Sequence, residues 1–194
     1  DMIFIYSGIE PRLQRKEDGI KHLKEHLYEK NSVDYILNDY NNSATTFSMT
    51  ANINGYQSLK TKGIQIIKDN NLRNLIVEFY EIKLPRALEF IHRYDAVLKQ
   101  NLYDLEHYIF KIETIKKKDN NISFSQKLLN KNIYNNQNFY KAVKLLSEDT
   151  RHKRYRINAI KNNYNNLMTS IENELSVRQI SFIKFDSIHV IKNF

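Results

Sequence analysis

Apolar residues in this chain recur mostly at alternating three- and four-residue intervals, the period that lays them along one face of an α-helix. Leu13, Ile20, Leu23 and Leu27 mark a first helix from Glu10, which Gly19 interrupts only mildly. Ser32 is placed to cap a second piece carrying Val33, Ile36, Leu37 and Tyr40 on one side. Asn41 to Ala51, rich in Ser, Thr and Asn, reads as a loop. Tyr56 and Leu59 then share a face of a short helix whose N-cap is Asn52 or Asn54. Gly63 stands where that helix must end, because the left-handed position after a helix costs glycine nothing. Ile64, Ile66 and Ile67 anchor the connection, and Asp69 is placed to accept from the free N–H groups of the next helix. Leu72, Leu75, Ile76, Phe79 and Tyr80 continue as an amphipathic stripe.

The helix opened by Asp69 is expected to run to about Lys117, with a kink at Pro85, where proline removes a ladder bond and crowds the preceding turn. Leu88, Ile91, Tyr94, Leu98, Leu102, Leu105, Ile109 and Ile112 would continue its stripe. A turn over Lys118 to Ser123 leads to one or two helices, Ser125 to Tyr134 and Gln137 to Ser147. The last long helix, from about Glu148 to Val177, aligns Ile157, Ile160, Tyr164, Leu167, Ile171 and Leu175 close to a heptad seam, widened by Tyr155 and Met168. That seam is expected to pack on the long kinked helix of the same chain, with self-association secondary. At the two ends, Met2 to Tyr6 and Ile180 to Phe194 are rich in β-favouring residues. They either pair as a small sheet, lie loosely, or extend a helix. The expected fold is all-α, an antiparallel helical bundle with one long Pro-kinked helix, forming a single domain over 1–194 with 1–9 and 177–194 as extensions.

Composition supports helices over a turn-rich sandwich: 41% hydrophobic residues, 4 Gly and 2 Pro. Thirteen Tyr and ten Phe, with no Trp, point to a core of rings and isoleucines. The absence of cysteine removes disulfides, thiolate metal sites and cysteine nucleophiles from consideration. No apolar run approaches the roughly 18 residues of a membrane span. The chain opens at Asp1, which leaves room for an anchor or signal upstream.

The corner carries a resemblance. Tyr56, Leu59, Lys60, Gly63, Ile67, Lys68, Asp69, Leu72, Arg73, Asn74, Phe79 and Tyr80 form a pattern that resembles an uncharacterised family of single-pass bacterial envelope proteins. Weaker similarity runs from about Arg12 to Leu175, whereas Ser176 to Phe194 match nothing in that family. The resemblance implies an extracytoplasmic all-helical region behind a transmembrane helix. It implies a periplasmic or cell-envelope location and membrane attachment through a segment absent from this chain. It brings no catalytic residues with it.

Candidate chemistry is sparse. Glu89-x-x-His92 and Asp104-x-x-His107 have the helical spacing of di-iron ligand pairs, but such sites draw their pairs from different helices. Both lie on one predicted helix, so exposed polar positions explain them better. Arg86 and His92 match the permissive spacing of helical ribonucleases of the HEPN type, in which arginine holds phosphate and histidine moves a proton. Ala87 stands where such sites carry a polar residue, and Pro85 disturbs the helix beside Arg86. The runs Lys116–Lys118 and Arg151-His-Lys-Arg-Tyr-Arg156 contribute to a net charge of +8 and could track a phosphate backbone. Lysines at a helix C-terminus and a solvated helix face are the preferred readings. An envelope location would also allow contact with anionic lipid. His22, His26, His107, His152 and His189 have no partner spacing that makes a triad, and no phosphate loop or nucleophile elbow is present.

The sequence therefore points to a non-enzymatic binding, sensory or scaffolding module with no cofactor or metal, whose structural motif is Tyr56, Leu59, Gly63, Asp69, Leu72, Arg73 and Tyr80. The expected partner is a protein, including a second copy, with nucleic acid disfavoured. The alternatives are a HEPN-like ribonuclease using Arg86 and His92, or a nucleic-acid-binding helical domain.

Overall fold

The structure, a computed structural model, describes residues 9–30, 32–45, 49–116, 122–129 and 132–177, with the backbone alone over 112–116 and 122–126. It is an all-α helical bundle carrying one small antiparallel sheet. The elements are α1 (Glu10–Glu29), α2 (Val33–Ala44), α3 (Asn54–Lys62), a 3-10 turn at Ile64–Ile66, α4 (Asn70–Val77), a π turn at Glu78–Lys83, α5 (Leu84–Glu106), β1 (Phe110–Lys116), β2 (Ile122–Leu128), a 3-10 turn at Ile133–Asn135, and α6 (Gln137–Val177). The expected pairing of the chain ends lies outside the described residues.

Local chemistry explains the boundaries. Gly63 ends α3 with φ +94°, its N–H reaching the Lys60 carbonyl at 3.2 Å. Asp69 caps α4, its carboxylate accepting the Leu72 N–H at 2.7 Å. Ser32 precedes α2 but makes no capping bond through its side chain. Asn52 accepts the Asn54 N–H at 3.0 Å, an Asx contact at the start of α3. The disturbance at Pro85 takes the form of a π turn: Leu84 N–H reaches back five residues to the Phe79 carbonyl, and Pro85 comes next, where its missing N–H leaves no gap in an α ladder.

Three expectations are corrected. The loop expected from Asn41 begins only at Thr45, and Ser43 is accommodated within the helix with its hydroxyl donating to the Asp39 carbonyl at 2.7 Å. The long helix ends at Glu106, not near Lys117, and residues 110–116 and 122–128 pair as antiparallel strands in place of a helix end and the start of a further helix; most of the turn expected over Lys118 to Ser123 lies outside the described residues. Phe110 pairs with Leu128 and Lys116 with Ile122. Ile109 and Ile112 continue a helical spacing only by coincidence; Phe110-Lys-Ile-Glu-Thr alternates with period two, and that pattern prevails. Finally, the break expected near Ser147 is absent. With no Gly or Pro between 137 and 177, one helix runs the whole way, started by Asn136, whose side chain accepts the N–H groups of Asn138 (3.0 Å) and Phe139 (3.2 Å).

The chain divides into two compact units, Asp1–Pro11 with Ser48–Ile91 and Tyr155–Phe194, and Arg12–Phe47 with His92–Arg154. In the second, α1, α2, α5 and α6 enclose Leu23, Ile36, Tyr40, Leu98, Leu102, Phe139, Ala142 and Leu146, closed by Ile109 and Phe110 of the hairpin and by Ile133. Within it α1 and α6 run antiparallel: Glu17 meets Arg154 while Lys24, two turns on, meets Ser147, two turns back. Gly19 lets α1 approach α2, since a Cβ there would stand 2.7 Å from the Ser43 hydroxyl.

In the first unit, the seam of α6 is buried at Ile157, Ile160 and Leu167. It faces the helix opened by Asp69: the Phe79 and Tyr164 rings are 6.0 Å apart, and Leu72 and Ile76 lie across from Ile171 and Leu175. Tyr155, by contrast, is exposed. Gly63→Val should destabilise the protein by about 1–3 kcal/mol, because a branched side chain is strained at that φ. Urea unfolding measures the loss; an unchanged midpoint would show that the corner relaxes freely.

Candidate functional site

The corner residues come together as one device. Arg73 reaches back from α4, donating to the Ile67 carbonyl at 3.3 Å and to the Asn70 side chain, so it ties the linker to the helix that Asp69 caps. Tyr56 of α3 stacks on Tyr80, ring centroids 4.7 Å apart and planes within 3°, and Phe79 meets Tyr80 edge-on. The Tyr56 hydroxyl donates to Glu81 at 2.7 Å, and Lys60 donates to the same carboxylate oxygen at 2.6 Å. Desolvation, reinforced by Glu81, pushes the Tyr56 phenol up to about 12. The bonds from Lys60 and Tyr56 hold Glu81 below the ordinary carboxylate range. Sequence reasoning missed Glu81.

Beside this clasp, Leu59, Ile66, Ile67, Leu72 and Ile76 line a groove of about 300 Å³ with Ile171, Glu174 and Leu175 of α6. Among the described residues, Glu174 is its only charged lining residue. Ile66 is 55% exposed, which is unusual for isoleucine in a turn packed against two helices. A lining of this character favours burial of an apolar group by desolvation, and among the described residues Glu174 is its one ionisable side chain.

A cluster of charge in the other unit is sealed from solvent. Lys16 (1% exposed), Lys153 (1%), Asp149 (3%) and Asp95 (8%) form a buried network. Lys153 donates to Asp95 and, at 2.8 Å, to Asp149, its partner one turn earlier on α6. Lys16 lies 3.5 Å from the same Asp149 oxygen and donates to the Thr45 carbonyl at 2.8 Å, at the C-terminal end of α2. The other Asp149 oxygen is enclosed with no hydrogen-bond partner among the described residues. Burial pushes the Lys16 ammonium below its ordinary range; the charge of Lys153 adds to this and Asp149 opposes it. Two cations and two anions balance.

The basic cluster at 151–156 is only partly a solvated face, because several of its side chains are engaged within the fold. Lys153 is buried, Arg154 forms two bonds to Glu17 (2.8 and 2.7 Å), His152 packs on Tyr94, and the Arg156 guanidinium lies 4.0 Å over the Phe90 ring. Arg151 alone among the basic side chains of the run stays exposed. Lys116 ends β1 and not a helix; Lys117 and Lys118 lie outside the described residues.

The remaining candidates stay apart. Arg86 and His92 are both exposed on α5, and six positions on an α-helix turn side chains by about 240°. His107 bonds to the Tyr103 carbonyl at 2.7 Å, Asp104 accepts from Gln100, and His26 lies 3.4 Å from Asp39 with its ring stacked on Tyr35. Among the described residues, no group of three or more His, Cys, Asp or Glu is arranged to hold a metal ion. Comparison with known protein families, with curated proteins and with solved structures returns no match.

Two outcomes are expected. Lys153→Met should cost about 3–5 kcal/mol, because it strips Asp95 of its ammonium partner and leaves buried charge uncompensated. Lys16→Met should cost less, since Lys153 still holds both aspartates; urea midpoints showing the reverse order would contradict this assignment. For Glu81, a depressed folded pKa means stability present above the unfolded value and lost as pH falls through the folded one. Glu81→Gln should therefore lower the melting temperature at about pH 7, and the deficit should shrink as the pH falls below the ordinary carboxylate range. A deficit that stays constant with pH would rule out the charge as the cause.

Proposed function

We propose that this chain is a non-catalytic binding module, the soluble extracytoplasmic part of a membrane-anchored protein, that receives an apolar segment of a protein partner in the groove beside the corner. The observation that carries this reading is the groove itself. Its lining is almost wholly apolar, it is open to solvent at Ile66, and the hydrogen-bonded clasp around Glu81 holds its walls. Preformed walls lower the entropy lost on binding. The residues that build the corner are the same ones that resemble the envelope family, and the proposed location rests on that resemblance. Among the described residues, no helix is long and apolar enough to cross a membrane. A second copy of the chain belongs among the candidate partners.

The ribonuclease reading is the rival. It needs Arg86 and His92 to share a cleft, and their six-residue separation on an α-helix disfavours that. Nucleic-acid binding is disfavoured by the internal use of Lys153, Arg154 and Arg156. Single-stranded RNA incubated with the protein and a chelator should remain intact. Cleavage that disappears in His92→Ala would overturn the binding reading. Ile66→Asp should leave stability within about 0.5 kcal/mol of the parent, as for a surface position. A loss above about 2 kcal/mol would make Ile66 a core residue instead of a contact residue.

A further inference from the structure

We propose that two copies of this chain join through the open edge of β1, strand against antiparallel strand, with the two-fold axis at Ile112. The surface is separate from the groove and does not depend on what the groove binds. Among the described residues the sheet holds β1 and β2 alone, so β1 has one edge without a strand neighbour. Two strands by themselves are marginally stable, and an open edge is a template for a further strand. The backbone decides which residues serve that edge. The Leu129 N–H reaches the Ile109 carbonyl at 2.9 Å, which makes these two a hydrogen-bonded pair of the ladder. Counted along the register, Lys111, Glu113 and Ile115 turn their backbone groups toward β2, while Phe110, Ile112 and Thr114 turn theirs to the open edge. Charge then selects the alignment of a second copy. Centred on Lys111 or on Glu113, the copies would set lysine against lysine or glutamate against glutamate in the close, non-hydrogen-bonded positions, Cα atoms about 4.5 Å apart. Slips further along leave Lys111 opposite Ile109 or Glu113 opposite Ile115. Centred on Ile112, each Lys111 stands opposite the partner's Glu113, and Phe110 pairs with the partner's Thr114 through the backbone groups left at the edge. The strand is complementary to itself in that one alignment, as a two-fold interface requires. The register also places Phe110, Ile112, Phe124 and Leu128 on one face, so the joined four-stranded sheet would carry a continuous apolar face.

Sedimentation of the full chain over a concentration series tests this, and the parent should dimerise reversibly. Glu113→Lys and Lys111→Glu each set like charges opposite one another in the dimer. Each should raise the dimer Kd by about tenfold or more, the effect of two reversed cross-strand charge pairs. Mixed together, the two variants again oppose lysine to glutamate at both positions. The mixture should therefore form a heterodimer about as tightly as the parent dimerises, a rescue that a folding failure could not produce. A monomeric parent, a dimer indifferent to either charge variant, or a mixture that stays monomeric would overturn the proposal. Disulfide trapping identifies the edge, since the chain has no cysteine of its own. In the proposed alignment Ile112→Cys meets its own copy with Cα atoms about 5.5 Å apart, within reach of a disulfide. Under mild oxidation it should cross-link between chains about tenfold faster or more than Gln126→Cys, which stands opposite it on β2. Equal rates, or the reverse order, would overturn the assignment to β1.

Discussion

Four charges buried between helices constrain everything else in the second unit. Lys16 on α1, Asp95 on α5, and Asp149 with Lys153 on α6 form a neutral set, and a neutral set is the arrangement in which such burial is tolerable. Three of the four occupy places in their helices where the apolar series calls for a core residue. Lys16 stands between Leu13 and Ile20, Asp95 between Ile91 and Leu98, and Lys153 between Leu146 and Ile157. Sliding α1 along α6 by one turn would put an unpaired ammonium against leucine. The polar layer thus fixes the antiparallel register, and the contacts Glu17–Arg154 and Lys24–Ser147 fall where that register places them.

The same layer bears on function. A protein with net charge +8 and a run of arginine and lysine invites a nucleic-acid reading, yet in the most basic stretch of α6 Lys153, Arg154 and Arg156 are buried, paired or stacked, and Arg151 stays exposed. The proposed recognition surface lies elsewhere, at the corner. There the geometry is the opposite of the ionic layer: an apolar groove, open to solvent, braced by hydrogen bonds at its edge. A sealed charge cluster and an open apolar groove are consistent with the binding module proposed above.

Much of this was legible in the residues. Gly63 and Asp69 declared the corner because left-handed backbone and helix capping have narrow residue requirements. The seam from Ile157 to Leu167 declared its burial through spacing alone. The hairpin was hidden because Leu102, Leu105, Ile109 and Ile112 satisfy a helical spacing, and a short apolar run does not distinguish the two periods. The ionic layer was hidden for a subtler reason. Reading only apolar positions jumps from Leu13 to Ile20 and begins the α6 seam at Ile157; carried back through Lys153, Thr150 and Leu146, the same three–four spacing reaches Phe139 without a break. A lysine in such a gap, with an aspartate one turn earlier, was the available signal. The groove left no signal, since its walls come from α3, α4 and α6, which are remote in sequence.

The claim that these charges serve the fold and not a reaction is tested most directly by a double-mutant cycle on Lys153 and Asp95, using Lys153→Met and Asp95→Leu in urea unfolding. If the pair is a closed structural unit, each single variant is strongly destabilised. The double variant should then recover much of the loss, with a coupling of about 1–3 kcal/mol. Additive losses, leaving the double variant as unstable as the two singles combined, would contradict the account.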